Sequence, residues 1–482
     1  MTAPAATSSC CSTPAIQSVG AIDASCRWPV LTLLKGAAFW LVVSSVFGLI
    51  ASLKFHQPTF LAGCEWFTYG RAYAVWADAL VYGFCVPSAL AAAVWLIARL
   101  GKVELHGPVI LTAAAKFWHI GVFVGLCGIL AGDSTGYEWF ELPRYSVIIL
   151  WAAYLVFAVC ALFTHAARTE RALYPSHWFL LAALFWFPWI LSTAVLLLQL
   201  HPVRGVAQAA IAWWYSGNLL VVWLALAGLA ASLYLLPKLA EQPLQSRYTA
   251  LFAFWTLILF GTWAGIPAGA ALPAWMPTVS GNASLLLLVP ALAIATTVRQ
   301  TTRGSTVISK GDLLCYTKSG ACLLALSLVL LALTGIPKFA RVTEFTWFNH
   351  SHTALRLYAF AMTMFAAAYH IVPRVTGVTI CPRRIRIQFW FAIPGALLLS
   401  LPYAVGGLVQ GVKLFNLNLS FLDASKASLM AVRVATLGEV LFLGAGVIFL
   451  INMAAVIFAL GKYTITAEVM DTPKLHTAEV RS

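Results

Sequence analysis

Charged residues are scarce in this chain. Asp, Glu, Lys and Arg together make up only 10% of the 482 residues, whereas a soluble domain has about 25%. Hydrophobic residues account for 61%, which is more apolar surface than a soluble core can bury. The composition therefore excludes a soluble globular protein and predicts an all-α, polytopic membrane protein.

Acidic residues are scarcer than basic ones, with 16 Asp and Glu against 30 Lys and Arg and a formal net charge of +14. The basic residues lie in short segments between long apolar runs, where membrane topology requires them. This distribution excludes nucleic acid as a partner and leaves the lipid bilayer as the expected one.

Cysteine motifs and a cleavable leader are also missing. None of the ten cysteines belongs to a C-x-x-C or C-x-x-C-H pattern, so a zinc ribbon and a covalently attached c-type haem have no support. Residues 1–28 lack the order of charged, apolar and small residues that marks a signal peptide. We expect a disordered cytoplasmic tail at 1–28, a membrane domain at 29–461 and a second cytoplasmic tail at 462–482.

Long apolar runs dominate the rest of the sequence. A helix needs about 20 mostly apolar residues to cross a bilayer, and twelve runs of roughly that length follow one another with short connections. The predicted spans are 31–53, 73–99, 108–131, 145–166, 177–200, 207–236, 248–270, 281–298, 316–335, 348–373, 387–411 and 435–461.

The orientation of the spans follows from their connections. Lys and Arg are more frequent in the connections that lead from an even-numbered span to the next odd-numbered span than in the other connections. Arg383, Arg384 and Arg386, between the tenth and eleventh spans, contribute to this excess. Because such residues favour the cytoplasmic side, both termini are predicted to be cytoplasmic.

Two histidines, His350 and His352, lie at the start of the tenth span. At about 3.6 residues per turn, side chains at i and i+2 point about 200° apart, so the pair cannot share one metal ion from the same face. It can serve two flat cofactors on opposite sides of one helix. The alternative is a polar helix entrance, with Asn349 or Thr353 assisting the cap.

Several segments resemble subunit I of the haem–copper oxidases, and in particular the C-family, the cbb-type cytochrome c oxidases. Twelve helices with an H-x-H motif opening the tenth agree with that architecture, and the resemblance extends over nearly the whole chain. The matching segments are 213–218 (WWYSGN), 234–238 (YLLPK), 263–265 (WAG), 271–275 (ALPAW), 350–352 (HSH), 369–374 (YHIVPR) and 407–411 (GLVQG).

The resemblance implies a haem–copper oxidase-like helical bundle in a bacterial-type inner membrane, with haem b as cofactor and other cytochrome subunits as partners. In that family, the first histidine of the tenth helix ligates the high-spin haem and the second ligates the low-spin haem. Carried over, these iron ligands are His350 and His352. Arg356, one turn beyond His352, is expected to meet a haem propionate or a carboxylate such as Asp78.

The copper ligands of the family are missing. The family holds its copper with one histidine on the sixth helix and two on the seventh, but this chain has Gly217 at the first position and IPAGA at 266–270 for the others. No histidine occurs between Pro202 and Asn349, and copper prefers imidazole nitrogen. We therefore expect no copper and no oxygen reduction by this chain; any enzymatic role would be that of an oxidoreductase subunit.

The second axial ligand of the low-spin haem is missing as well. Alignment on Gly70, Arg71 and Ala79 places Trp76 at the ligand position, and an indole nitrogen is only a hydrogen-bond donor. The number of haems is therefore open between none and two, since Trp76 and other side chains can instead fill this pocket. Near the family's propionates, Glu138 and Glu141 are interpreted as members of a solvated loop.

Three functions remain. The first is a haem b-binding electron-transfer subunit of a respiratory membrane complex without a copper site. The second is a structural scaffold subunit that binds no haem. The third is a proton or ion carrier that uses the intramembrane charges Asp78, Lys116 and Glu439.

Overall fold

The computed structural model describes residues 18–303 and 311–471, with side chains as far as Lys462. Within these ranges the chain is helical and forms no strand. Eleven of the described helices are long and apolar enough to cross a membrane, and a twelfth, Arg247–Gly261, is apolar but shorter. The prediction of an all-α, polytopic membrane fold is confirmed.

We number the twelve apolar helices α1 to α12 in chain order. Two short helices, Pro337–Thr343 and Phe421–Lys426, precede α10 and α12. The bounds are α1 Val19–Lys54, α2 Tyr69–Gly101, α3 Pro108–Ala131, α4 Arg144–Ala166, α5 Pro175–Leu200, α6 Val206–Ala240, α7 Arg247–Gly261, α8 Trp275–Thr302, α9 Gly311–Leu333, α10 Trp347–Thr376, α11 Pro382–Leu414 and α12 Leu429–Asp471.

Three helices form the centre of the bundle. The most apolar stretches of α2, α6 and α10 are buried throughout, whereas those of the other spans are half-buried or less. The three central helices pack against one another, and the remaining helices surround them with one face toward the lipid. This arrangement places the histidines of α10 between α2 and α6.

The other two central helices, α2 and α6, each contain a wide helical turn. The segments Ala79–Cys85 of α2 and Asn218–Trp223 of α6 are π-helical. A π-turn carries one extra residue and shifts the side chains that follow it, and such turns are frequent at functional sites. In α6 the turn begins directly after Gly217, the position aligned with the family's first copper ligand.

The first helix begins earlier than the boundary predicted at residue 28. Ser18 caps α1 by accepting a hydrogen bond from the backbone N–H of Ala21 at 3.2 Å. Asp23 is then buried against α2, where it accepts hydrogen bonds from Trp95 at 2.9 Å and Arg99 at 3.2 Å. These partners are distant in sequence, so composition alone indicated a tail; residues 1–17 lie outside the described ranges. At the other end, α12 extends past residue 461 to Asp471.

The seventh helix ends earlier than predicted. The sequence indicated a span over 248–270, but α7 ends at Gly261 and the chain is irregular from 262 to 274. Gly265 has a φ of +108°, which a helix does not allow. Pro267 has no backbone N–H and disfavours helical geometry in the residue before it. Apolar composition persists through this segment, but its backbone cannot continue the helix.

Candidate functional site

A cavity of about 780 Å³ lies at the end of the bundle where α10 begins. From α10 it is lined by His350, His352 and Arg356. Its volume falls within the range of about 300–1,000 Å³ that is usual for small-molecule and cofactor sites. Exposed lining residues such as Lys426 and Phe345 lie in the connections at this end. We call this space the large cavity.

The irregular segment 262–274 forms one wall of the large cavity and is held in place by hydrogen bonds. The side-chain amide of Asn218 on α6 donates to the carbonyl of Thr262 at 3.3 Å. The carboxylate of Glu344 accepts hydrogen bonds from the backbone N–H groups of Ala268 and Gly269, the latter at 2.7 Å. The wall is therefore a fixed part of the fold.

Gly217 of α6 lies directly against this wall. A Cβ atom added to Gly217 would come within 2.6 Å of the carbonyl oxygen of Ala264. A Cβ atom added to Gly265 would come within 2.9 Å of Cα of Gly217. Real Cβ atoms do not approach backbone this closely, so two glycines allow the two backbones to meet. A histidine at position 217 does not fit in this arrangement.

His350 is surrounded by aromatic rings. Its ring centroid lies 5.2 Å from that of Trp347, 6.1 Å from that of Tyr73 and 6.3 Å from that of Tyr403. Among the described residues, none forms a hydrogen bond with the His350 ring. One ring nitrogen therefore keeps a free lone pair, which is what an iron ligand requires.

A second, much smaller cavity of about 40 Å³ lies beside Trp76. It is lined by His350, Tyr73 and Tyr403, and not by His352. The Trp76 ring occupies the space above Gly48 of α1, where an added Cβ would come within 2.5 Å of the indole. The remaining volume is sufficient for a water molecule and far below the volume of a cofactor pocket.

The two histidines therefore face their surroundings differently from what the resemblance implies. The resemblance pairs His352 with the position of Trp76, the low-spin side, but His350 is the histidine that lines the cavity at Trp76. His352 lines the large cavity and not the small one. Spacing along the helix sets the angle between the two rings, whereas the packing of α10 decides which ring meets which neighbour.

His352 and Arg356 are brought together. A guanidinium nitrogen of Arg356 lies 3.0 Å from Nδ1 of His352. Because arginine only donates, Nδ1 must accept, and the proton of the neutral imidazole must then be on Nε2. That nitrogen has no hydrogen-bond partner among the residues that the structure describes. Nε2 of His352 therefore carries an N–H donor rather than a lone pair, and this N–H group points away from Arg356.

Asp78 does not meet Arg356, contrary to one of the two expected contacts. Its carboxyl group is fully buried and lies beside that of Glu141. The interpretation of Glu141 as a solvated residue is wrong, because this side chain is buried in the connection between α3 and α4. Burial, and next the Asp78 carboxyl, raise the pKa of Glu141 well above its usual range. Glu138 is exposed and accepts a hydrogen bond from Tyr73 at 3.0 Å.

The three charges considered for a carrier do not converge. Lys116 is exposed on the outer surface of α3, so it is not a buried charge. Glu439 of α12 lines the small cavity, whereas Asp78 lies beside Glu141 and lines none of the cavities described above. Among the described residues, these three groups therefore share neither of the two cavities described above.

Sequence reasoning missed Glu344 as a site residue. It follows the short helix before α10, and nothing in its local sequence marks it as the anchor for a segment 75 residues earlier. The close approach of Gly217 and Gly265 was also missed. The sequence does contain a signal for this close approach, since the tryptophan-containing segments 213–217 and 263–265 both end in glycine.

A buried central helix that presents two histidines to a cofactor-sized cavity defines the class: a multi-pass membrane protein with an internal ligand site. Residues 29–441 match the family described as Cytochrome C and Quinol oxidase polypeptide I. The chain belongs to this family.

Curated relatives agree with this assignment at low identity. The chain is 24% identical over 446 residues to a cytochrome c oxidase subunit 1 homolog of Azorhizobium caulinodans, covering 86% of this chain and 79% of that protein. It is 24% identical over 430 residues to the Cbb3-type cytochrome c oxidase subunit CcoN1 of Stutzerimonas stutzeri, covering 84% and 89% respectively. It is also 24% identical over 460 residues to cytochrome c oxidase subunit 1 of Rhodobacter capsulatus, covering 87% and 83%.

Proposed function

We propose that this protein is a copper-less member of the oxidase subunit I family that binds one haem b in the large cavity and serves as an electron-transfer subunit of a respiratory membrane complex. The observation that carries the proposal is the free His350 ring at the edge of a cavity of about 780 Å³. Its partners are other membrane or cytochrome subunits, as the names of its relatives suggest.

The residues around the large cavity fit a single haem. His350 offers an uncommitted imidazole nitrogen, and Trp213 and Leu220 contribute apolar surface for a flat ring. When bound, haem b would supply a one-electron redox centre. The chain's own residues would hold it through His350, orient it against the aromatic ring of Trp347 and limit the access of water.

His352 is disfavoured as the iron ligand. An imidazole that binds a metal through one nitrogen generally donates a hydrogen bond from the other nitrogen to an acceptor. Here the other nitrogen faces the guanidinium of Arg356 at 3.0 Å, which can only donate. Ligation through Nε2 would place two donors against each other.

Neither copper nor a second haem fits the described residues. The copper position on α6 is Gly217, which has no space for a side chain next to Ala264. The low-spin position is filled by Trp76, and the free volume beside it is about 40 Å³. Both features support one haem, no copper and no oxygen reduction by the chain itself.

Haem content is the decisive measurement. We expect the protein purified from haem-sufficient cells to contain one haem b per chain by pyridine haemochrome assay. Since only His350 is available, the reduced haem should be five-coordinate and should change its spectrum on addition of carbon monoxide. The His350→Ala variant should lose the haem.

The matched control is His352→Ala, which removes the neighbouring histidine and should retain haem. Two haems per chain, a six-coordinate spectrum without a carbon monoxide response, or haem loss only in His352→Ala would refute the proposal. Oxygen uptake by the isolated chain would refute the copper-less assignment.

A second candidate function is a scaffold subunit that binds no haem. The specific observation in its favour is the filling of the low-spin side by Trp76, Tyr73 and Tyr403. A wild-type protein that is free of haem, co-purifies with other membrane subunits and is equally stable from haem-depleted cells would establish this function instead.

We also propose that the chain lies in a bacterial inner membrane with both termini in the cytoplasm. The excess of Lys and Arg in the even-to-odd connections, including Arg383 and Arg384, supports this orientation.

A further inference from the structure

Arg356 is a buried cation without an ionic partner. Its side chain is 2% exposed, and no carboxylate of the described residues forms an ion pair with it. Within the described ranges, its Nε and Nη1 atoms have no hydrogen-bond partner. An uncompensated charge inside a membrane protein is costly, and such residues generally mark a functional site.

The neighbouring His352 contributes another buried hydrogen-bond donor to the cavity. With Nδ1 accepting from Arg356 at 3.0 Å, the Nε2–H group is a second unpartnered, buried donor. His352 and Arg356 both line the large cavity. This N–H faces away from the guanidinium, so it adds to the polarity of the cavity without sharing an acceptor with Arg356. At Arg356 itself, an anion from outside the described residues would satisfy both the charge and the free hydrogen-bond donors.

The acidic residues on the cavity wall do not supply that anion. Glu344 is occupied by the backbone N–H groups of Ala268 and Gly269. Glu138 accepts from Tyr73 at 3.0 Å and lies exposed in the connection between α3 and α4. The remaining charged lining residue, Lys426, is itself a cation.

The position of Arg356 limits the kind of anion. It is the lining residue of α10 furthest from the start of that helix, about 9 Å beyond His350 at a rise of about 1.5 Å per residue. Leu220, Val221 and Leu331 line the same cavity. A ligand that reaches Arg356 through this space needs an apolar body next to its charged group.

We propose that the inner end of the large cavity binds a carboxylate carried on an apolar body, with the free Nε and Nη1 groups of Arg356 as its hydrogen-bond donors. The site requires only Arg356 and the cavity, so it does not depend on the haem proposed above. Two sources share this chemistry: a fatty acid from the bilayer, and a propionate of a haem in the same cavity.

Octanoate binding to the full chain in detergent tests the proposal by isothermal titration calorimetry. We expect octanoate to bind to the wild-type protein and to bind at least about tenfold more weakly to Arg356→Gln, because a charge-assisted hydrogen bond contributes more than the free energy of a tenfold change. Octanol, which has the same apolar body without the charge, should bind the two proteins equally.

Lys426→Gln is the matched control, since it removes a positive charge from the same cavity at its exposed mouth. It should change octanoate affinity less than about twofold, because an exposed charge is screened by solvent. If Arg356→Gln is unstable, Arg356→Lys takes its place. Because this variant keeps the positive charge, it should retain part of the octanoate affinity. Equal binding of octanoate and octanol to the wild type, or equal loss in Lys426→Gln and Arg356→Gln, would overturn the proposal.

Haem retention in Arg356→Gln distinguishes the two sources. If a propionate occupies Arg356, this variant should hold haem more weakly than the wild type, as well as binding octanoate more weakly. If a fatty acid is the ligand, Arg356→Gln should retain haem like the wild type and lose only octanoate affinity. Absence of haem from the purified protein would refute the haem proposal and leave the octanoate result unaffected.

Discussion

Position 217 shows how backbone packing limits chemistry at a single residue. The glycine allows α6 to contact the 262–274 wall, where an added Cβ would come within 2.6 Å of the Ala264 carbonyl oxygen. Restoring the family's histidine therefore requires movement of the wall, and not only a change of side chain.

Gly217→Ala should accordingly destabilise the protein, even though alanine favours helices by about 1 kcal/mol over glycine. Gly217→His should destabilise it further and bind no copper. The measurements are thermal unfolding in detergent and copper content by mass spectrometry. Gly228→Ala is the matched control on the same helix, because its Cβ would meet only Phe360 at 3.6 Å. Equal stability of Gly217→Ala and Gly228→Ala would contradict this packing.

Glu141 illustrates a residue whose chemistry depends on a distant neighbour. Burial and the Asp78 carboxyl raise the pKa of Glu141 in the folded protein, above the value of about 4.3 for an unfolded glutamate. Between those two values the folded state binds a proton that the unfolded state has lost. Stability is therefore highest at low pH and falls as the pH rises toward the raised pKa.

Glu141→Gln should weaken this dependence and raise stability at neutral pH, while the buried carboxyl of Asp78 remains. Each pH unit between the two pKa values corresponds to about 1.4 kcal/mol, so unfolding curves at several pH values should separate the variant from the wild type. Glu138→Gln, three residues earlier and exposed, is the control. A wild-type stability that rises over this pH range would show that Glu141 is ionised in the folded protein.

At the scale of elements, α1 and α2 close the space beside the low-spin position. Gly48 of α1 provides room for the indole of Trp76, and the hydroxyl of Ser44 donates to the Trp76 carbonyl oxygen at 2.9 Å. The Trp76 ring lies 5.2 Å from that of Tyr73 and 5.7 Å from that of Trp139. These side chains fill most of the space at this position, where about 40 Å³ remains free.

Gly48→Ala should destabilise the α1–α2 contact, because the new Cβ would lie 2.5 Å from the indole. Trp76→Leu should cost a few kcal/mol by leaving a cavity, but it should also make room for the methyl group added at position 48. The double variant should therefore lose less stability than the sum of the single losses, by about 0.5–3 kcal/mol. Gly20→Ala on the same helix, where nothing lies within 4 Å, is the neutral control. Additive losses would mean that the indole does not occupy this space.

At the scale of the whole molecule, the central helices α2, α6 and α10 carry the site and the outer helices shield it from lipid. The orientation that we propose for this bundle rests on the Lys and Arg in its connections. A fluorescent-protein fusion at the C-terminus should therefore fluoresce, whereas an alkaline phosphatase fusion at the same position should be inactive.

A fusion in the connection between α11 and α12 should behave in the opposite way, because that connection is predicted on the periplasmic side. It provides the internal control for expression and folding of the reporters. An active phosphatase at the C-terminus would reverse the proposed topology.

The sequence by itself determined the membrane class, the approximate location of the twelve apolar helices and the lack of copper-binding histidines between Pro202 and Asn349. These features depend on local composition, because each segment that crosses a bilayer must be apolar over its own length. The close agreement of the predicted spans with α2 through α6 follows from this local requirement.

Only the tertiary structure decided where α7 ends, that His350 rather than His352 faces Trp76, and that Arg356 meets His352 rather than Asp78. It also buried Glu141 beside Asp78. Each of these outcomes depends on which residues of distant segments become neighbours when the helices pack. Helical periodicity sets the angle between two side chains on one helix, but the opposing helix decides what each side chain meets.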